Sequence, residues 1–164
     1  MRLDVLSPKG QQSVRDEQAA VALFVGRFPQ YAYAETPKHL PADVDALLMT
    51  GGALRQVVET KCRYDCDLQK FMGAYGGQWL VTYDKVVRAM AVAKGLRIGL
   101  MGFLYLAPSK TLLVQRITDD EGKFLVSLKV ETTQTQATTN GGLAVRSNAF
   151  IDMRKATVIK GDFE

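Results

Sequence analysis

The stretch "LRIGLMGFLYLA", residues 96–107, is almost uninterrupted apolar sequence and constrains the fold more than any other segment. The wider window from Ala89 to Ala107 carries Lys94 and Arg97, so it reads as a helix end followed by a buried strand rather than a membrane span. A strand without a polar face must be covered on both sides, which makes it the centre of a layered α/β arrangement.

The segments before it supply those layers. Residues 13–28, "SVRDEQAAVALFVGRF", place Val14, Val21, Phe24 and Phe28 at helical spacing, with Ser13 and Asp16 resembling a cap and Glu17 on the same stripe. "YAYAET" alternates as a strand does, and strands are expected over about 44–50 and 54–62. Residues 67–94 read as a helix broken at "GAYGG", its stronger half running from Gln78 to Lys94 and ending at Gly95. The order is α-β-β-β-α-β over about residues 13–106, a mixed α/β core in a single domain of 164 residues. The remainder, about 107–164, reads as a β-rich extension. In it "TLLVQRI" and "KFLVSLKVE" flank "TDDEG" as a hairpin, "TTQTQATTNGG" forms a polar loop, and 143–160 adds two more strands.

Scarcity restricts the chemistry. Cys62 and Cys66 are the only thiols and His39, in the turn-like "TPKHLPAD", the only imidazole. A four-ligand Cys/His zinc site lacks its ligands, and catalysis must rely on carboxylates, lysine and hard metal ions. No basic segment followed by an apolar stretch opens "MRLDVLSPKG", so no secretory signal is expected. A cytoplasmic location with reduced thiols follows, a Cys62–Cys66 bridge being the alternative. The net charge of +4 falls entirely in 67–110, where Lys70, Lys85, Arg88, Lys94, Arg97 and Lys110 face only Asp67 and Asp84. That bias suits a polyanionic partner, or else marks a solvated helix face.

The hairpin "DALLMTGGALRQVVETK", Asp45–Lys61, concentrates the chemistry. A three-residue loop over Gly51–Ala53 pairs Thr50 with Leu54, Asp45 with Glu59 and Asp43 with Lys61. Directly opposed side chains lie roughly 4.5–5.5 Å apart at Cβ, where like charges repel. A two-residue loop would instead set Asp45 against Val58 and turn the carboxylates to opposite faces. In the first register Mg²⁺ is the natural counter-ion, with Asp45, Glu59 and the Thr60 carbonyl as hard oxygen donors. Lys61 points to the same side as Glu59.

Asp45, thirteen intervening residues and then Glu59-Thr60-Lys61 resembles the D…(D/E)xK motif of the PD-(D/E)xK, or restriction-endonuclease-like, nuclease superfamily. Its common core has the α-β-β-β-α-β order, and the resemblance covers roughly two-thirds of the chain. It implies Mg²⁺-dependent hydrolysis of DNA phosphodiesters, Mn²⁺ substituting, with Asp45, Glu59 and Lys61 catalytic and Glu17 assisting at the metal. The usual "PD" dipeptide is replaced by "PADVD", so Asp43 is the substitute for Asp45. A second E-x-K, Glu121-Gly122-Lys123, lies in a turn-like segment and lacks an apolar approach.

On the expected helix from Gln78, residues Gln78, Thr82 and Lys85 share one face with Arg88 adjoining, while Trp79, Tyr83, Val86, Val87 and Met90 line the other. Gln78, Lys85 and Arg88 are the candidates for nucleic-acid contact. With no sequence-reading module in evidence, structure-selective or end-selective cleavage is expected, whether endonucleolytic or exonucleolytic. A homo-oligomer is compatible with the resemblance. The alternative is a non-catalytic nucleic-acid-binding or assembly protein on the same fold.

Overall fold

The computed structural model describes residues 7–37, 42–137 and 143–161. His39 lies outside them, as does the end of the Thr/Gln-rich loop. The protein is a mixed α/β structure. Helix α1 (Pro8–Arg27) is followed by strands β1 (Tyr31–Glu35), β2 (Ala46–Thr50) and β3 (Ala53–Arg63), and then by a short helix α2 (Leu68–Gly73). Strand β4 (Gln78–Thr82), helix α3 (Tyr83–Leu96) and strand β5 (Gly99–Leu106) come next. The remaining strands are β6 (Thr111–Arg116), β7 (Leu128–Ala137), β8 (Leu143–Asp152) and β9 (Thr157–Lys160).

Six strands form the central mixed sheet in the order β1-β2-β3-β5-β6-β9, and β4-β8-β7 form a second sheet. The β3–β5 pair is parallel and the other pairs are antiparallel. β5 is buried along its whole length, as its apolar run requires. Its even-handed alternation feeds two cores. Met101, Phe103 and Tyr105 pack with Ala20 and Phe24 of α1, while Leu100, Leu104 and Leu106 pack with Val86, Ala89 and Ala93 of α3. Among the described residues no helix is long and apolar enough to cross a membrane.

Several expectations are corrected. α1 starts earlier than Ser13: the Ser7 hydroxyl accepts the Gly10 N–H at 3.0 Å, and Pro8 occupies the first turn, where no N–H is needed. Asp16 is therefore inside the helix, and buried. Gln78–Thr82 is not helical but a strand, with Trp79 and Val81 buried and Leu80 exposed between them. The shared helical face of Gln78, Thr82 and Lys85 does not exist, and Val87 is exposed rather than core. Gly95 does not end α3; the helix continues to Leu96, and Arg97 takes the left-handed conformation (φ 57°) at its cap.

The tail also pairs differently. β6 and β9 extend the central sheet, while the segment between β6 and β7 carries an isolated bridge, Thr118 to Phe124, and β7 pairs with β8. The strand β7 runs through Ala137, so the first part of the expected polar loop is ladder. Glu121-Gly122-Lys123 does lie in a turn, where Asp119 Oδ1 accepts the Glu121 and Lys123 N–H groups, both at 2.9 Å.

β4 is held to the central sheet at Gly102. A Cβ built there would lie 2.5 Å from Trp79 Cζ3, so only glycine leaves room for the indole. This contact sets the edge of the second sheet beside the face of β3 that carries Glu59 and Lys61.

Candidate functional site

The site begins with a turn and a defect. Gly51 (φ 56°) and Gly52 (φ 76°) make a two-residue turn, as two successive positive φ values favour, and pair Thr50 with Ala53. The expected three-residue loop is thus incorrect, and on its own this turn would set the carboxylates on opposite faces. A β-bulge restores them. Met49 pairs with Leu54 but Leu48 with Gln56, leaving Arg55 as the extra residue, and from there Ala46 opposes Val58. Asp45, in a bend just ahead of β2, is tied to β3 by two bonds: its N–H donates to the Val58 carbonyl at 3.1 Å and its Oδ2 accepts the Thr60 N–H at 2.8 Å.

Asp45 and Glu59 consequently converge on the α3 side of the sheet. The ammonium of Lys85, from the first turns of α3, bonds to Glu59 Oε1 and lies 3.8 Å from Asp45 Oδ2. The Glu59 side chain is 4% exposed, Asp45 25% and Lys85 45%. Among the described residues the buried Glu59 Oε2 has no hydrogen-bond partner. Burial first, and then the Asp45 charge, push the Glu59 carboxyl up to about 8, against the opposing pull of Lys85. Burial lowers the Lys85 ammonium, but Asp45 and Glu59 outweigh it and hold the group above its ordinary value. Lys61, exposed on the same face of β3, sits below its ordinary value through desolvation and the nearby Arg63 and Lys85 charges.

The other candidates are distributed around this centre. Glu17 stands on the opposite face of the sheet, where Tyr33 donates to its Oε1 at 3.4 Å and also meets the Thr60 hydroxyl at 3.1 Å. Burial raises the Tyr33 phenol well above its usual value. Asp43 is exposed. Arg88 is engaged with Asp84 at 3.1 Å on the outside of α3, and Gln78 lines a cavity beside β4. Lys85, considered for nucleic-acid contact, instead meets both carboxylates, because β4 ends at Thr82 and α3 starts one residue later. Cys62 and Cys66 are free thiols, and burial pushes Cys62 up to about 12. Among the described residues no three His, Cys, Asp or Glu side chains cluster closely enough to hold a metal ion alone.

Two features escaped the sequence reading. Asp16 is buried on α1, and its Oδ1 accepts from the Gln12 amide at 3.0 Å. Arg63 extends the Glu59–Lys61 row by one more step and donates to the Leu80 carbonyl at 2.9 Å; its two-residue spacing from Lys61 was the available signal.

Comparison with family models, with curated proteins and with solved structures finds no match for this chain.

Proposed function

We propose that this protein is a metal-dependent nuclease that hydrolyses phosphodiester bonds in DNA. The observation that carries the reading is the convergence of Asp45 and Glu59 on one face, beside Lys61, with a buried Glu59 oxygen that has no hydrogen-bond partner among the described residues. The succession α1-β1-β2-β3-α3-β5, with α2 and β4 inserted, also agrees with the α-β-β-β-α-β order of the PD-(D/E)xK superfamily.

The donor set fits Mg²⁺ or Mn²⁺. Such ions need one or two carboxylates and complete their shell with water and phosphate oxygens, so two acidic side chains suffice. Asp45 and Glu59 would hold the ion, with the Thr60 carbonyl adjacent. The half-exposed Lys85 would give up its place between them, and Glu17 has no direct part from the far side. When bound, the ion supplies a Lewis acid for the phosphate and for the attacking water.

The protein's own groups do the rest. The Thr60 N–H fixes the orientation of Asp45. Glu59 must lose its proton before it ligates. Lys61 and the displaced Lys85 present ammonium groups to the charge that builds on the phosphate oxygens. Water loses a proton as it forms the new P–O bond, the opposite P–O3′ bond breaks and O3′ takes up a proton, leaving 5′-phosphate and 3′-hydroxyl ends.

A second reading rests on Lys85. Its ammonium already lies against both carboxylates, which favours a non-catalytic nucleic-acid-binding or assembly protein on the same fold. The two are separated by incubating the protein with supercoiled, linear and branched DNA in Mg²⁺, Mn²⁺ or EDTA. The nuclease reading expects cleavage that requires the metal and is lost in Glu59→Ala and Lys61→Ala. Cleavage unchanged in those variants, or none on any substrate, rejects it.

A further inference from the structure

Beyond the end of the Glu59–Lys61–Arg63 row lies a cavity of about 360 Å³ between the end of β3, the α2–β4 turn and the edge of the second sheet. Four of the nine residues that line it are aromatic: Phe71, Tyr75, Trp79 and Phe150. Tyr75 is half exposed at the mouth, with the Lys70 ammonium 5.9 Å from its ring centroid. Asp65 and Gln78 bring polar groups to this lining, and Arg63 stands where the row of charged residues meets it. The volume falls in the range of small-ligand sites and exceeds what a single planar ring needs.

We infer that this cavity receives one unpaired nucleobase of the strand whose backbone crosses Glu59 and Lys61. The inference rests on the nuclease reading above and narrows its substrate to DNA with an unpaired nucleotide near the cut. Four residue steps along the strand take Glu59 to Arg63, roughly 13 Å at the usual rise, a span that a single strand covers in a few nucleotides. Arg63 would meet an intervening phosphate. Stacking against an exposed tyrosine is sequence-tolerant, since every base has a π-face. The Asp65 carboxylate and Gln78 amide offer an acceptor and a mixed donor–acceptor to the base edge. The Asp65 charge also disfavours a phosphate inside the cavity, which leaves the base as the part of a nucleotide that enters.

Trp79 is the only tryptophan in the chain and lines the cavity, so its emission reports on occupancy. The 164-residue chain in EDTA, where no cleavage occurs, is titrated with oligothymidylate and with an abasic oligomer of equal length. The inference expects oligothymidylate to change Trp79 emission and to bind roughly 5- to 100-fold more tightly than the abasic strand. Tyr75→Ala, at an exposed turn position, should remove most of that preference. Equal affinity for both oligomers without an emission change, or no binding of either, overturns the inference even if Mg²⁺-dependent cleavage is found. Base-dependent binding without cleavage in Mg²⁺ retains the base pocket and rejects the nuclease reading.

Discussion

Asp45 Oδ2 accepts a hydrogen bond from the Thr60 N–H at 2.8 Å, across the two arms of the β2–β3 hairpin, in a register that the Gly51–Gly52 turn alone would not produce. One unpaired residue, Arg55, makes the difference. The chemistry proposed for this protein therefore depends on a backbone irregularity ten residues from the carboxylate it positions.

Deleting Arg55 tests whether the bulge acts through register alone. Leu48–Gln56 and Met49–Leu54 then become consecutive pairs, and Asp45 still faces Glu59. Stability is expected to fall by no more than about 1–2 kcal/mol in chemical denaturation, with metal-dependent cleavage retained. Loss of both the fold and the activity would show that the bulge has a role beyond register.

The raised Glu59 carboxyl fixes a pH dependence. Its ordinary value is 4.5 and its folded value about 8, so the folded protein binds the extra proton between these limits. Stability from this group is fully present below about pH 4.5 and is lost as pH rises through about 8. Metal binding runs the other way, because it needs the carboxylate, and cleavage should increase from pH 7 to 9. Glu59→Gln should make the metal-free protein more stable at pH 9 by about 1–3 kcal/mol and flatten its denaturation profile over this window.

Lys85→Ala separates the ammonium's two effects. Without metal, Glu59 loses the Lys85 ammonium that contacts it and is driven further toward the protonated form. The cost should be modest at pH 6 and larger at pH 9, about 1–3 kcal/mol given that the lysine is half exposed. Mg²⁺ affinity should rise, since a competitor for the carboxylates is gone. Calorimetric titration checks both, and weaker Mg²⁺ binding in the variant would contradict the displacement.

Gly102→Ala tests how β4 is seated. The added methyl lies against the Trp79 ring, so a loss of about 1–3 kcal/mol is expected, with a shift in Trp79 emission. An unperturbed emission spectrum would mean that the indole does not depend on this gap.

Much of this molecule was legible in its residues. The apolar run of β5, the alternation of β1 and the glycine-hinged arms of β2 and β3 each carry a signal that tertiary packing reinforced. Gln78–Thr82 misled because "QWLVT" fits a helical stripe as well as an alternating strand. The aromatic and β-branched residues Trp79 and Val81, both buried, were the deciding signal. Asp45 and Glu59 were legible as a facing pair, but the bulge that brings them together was not, because nothing in "ALRQVV" distinguishes Arg55 from its neighbours. The position of Lys85 was hidden for a related reason. It depends on where β4 yields to α3, a boundary that local composition does not mark. Partner choice in the tail, β7 with β8 rather than β6, is non-local and left no trace in turn residues.

The most direct measurement is a titration of Mn²⁺ into the protein above about pH 8, with bound ion read by electron paramagnetic resonance. The prediction is one ion per chain, abolished in both Asp45→Asn and Glu59→Gln while the variants remain folded. Binding that survives Glu59→Gln unchanged, or none in the unmodified protein at millimolar Mn²⁺, would contradict a cation held between these two carboxylates.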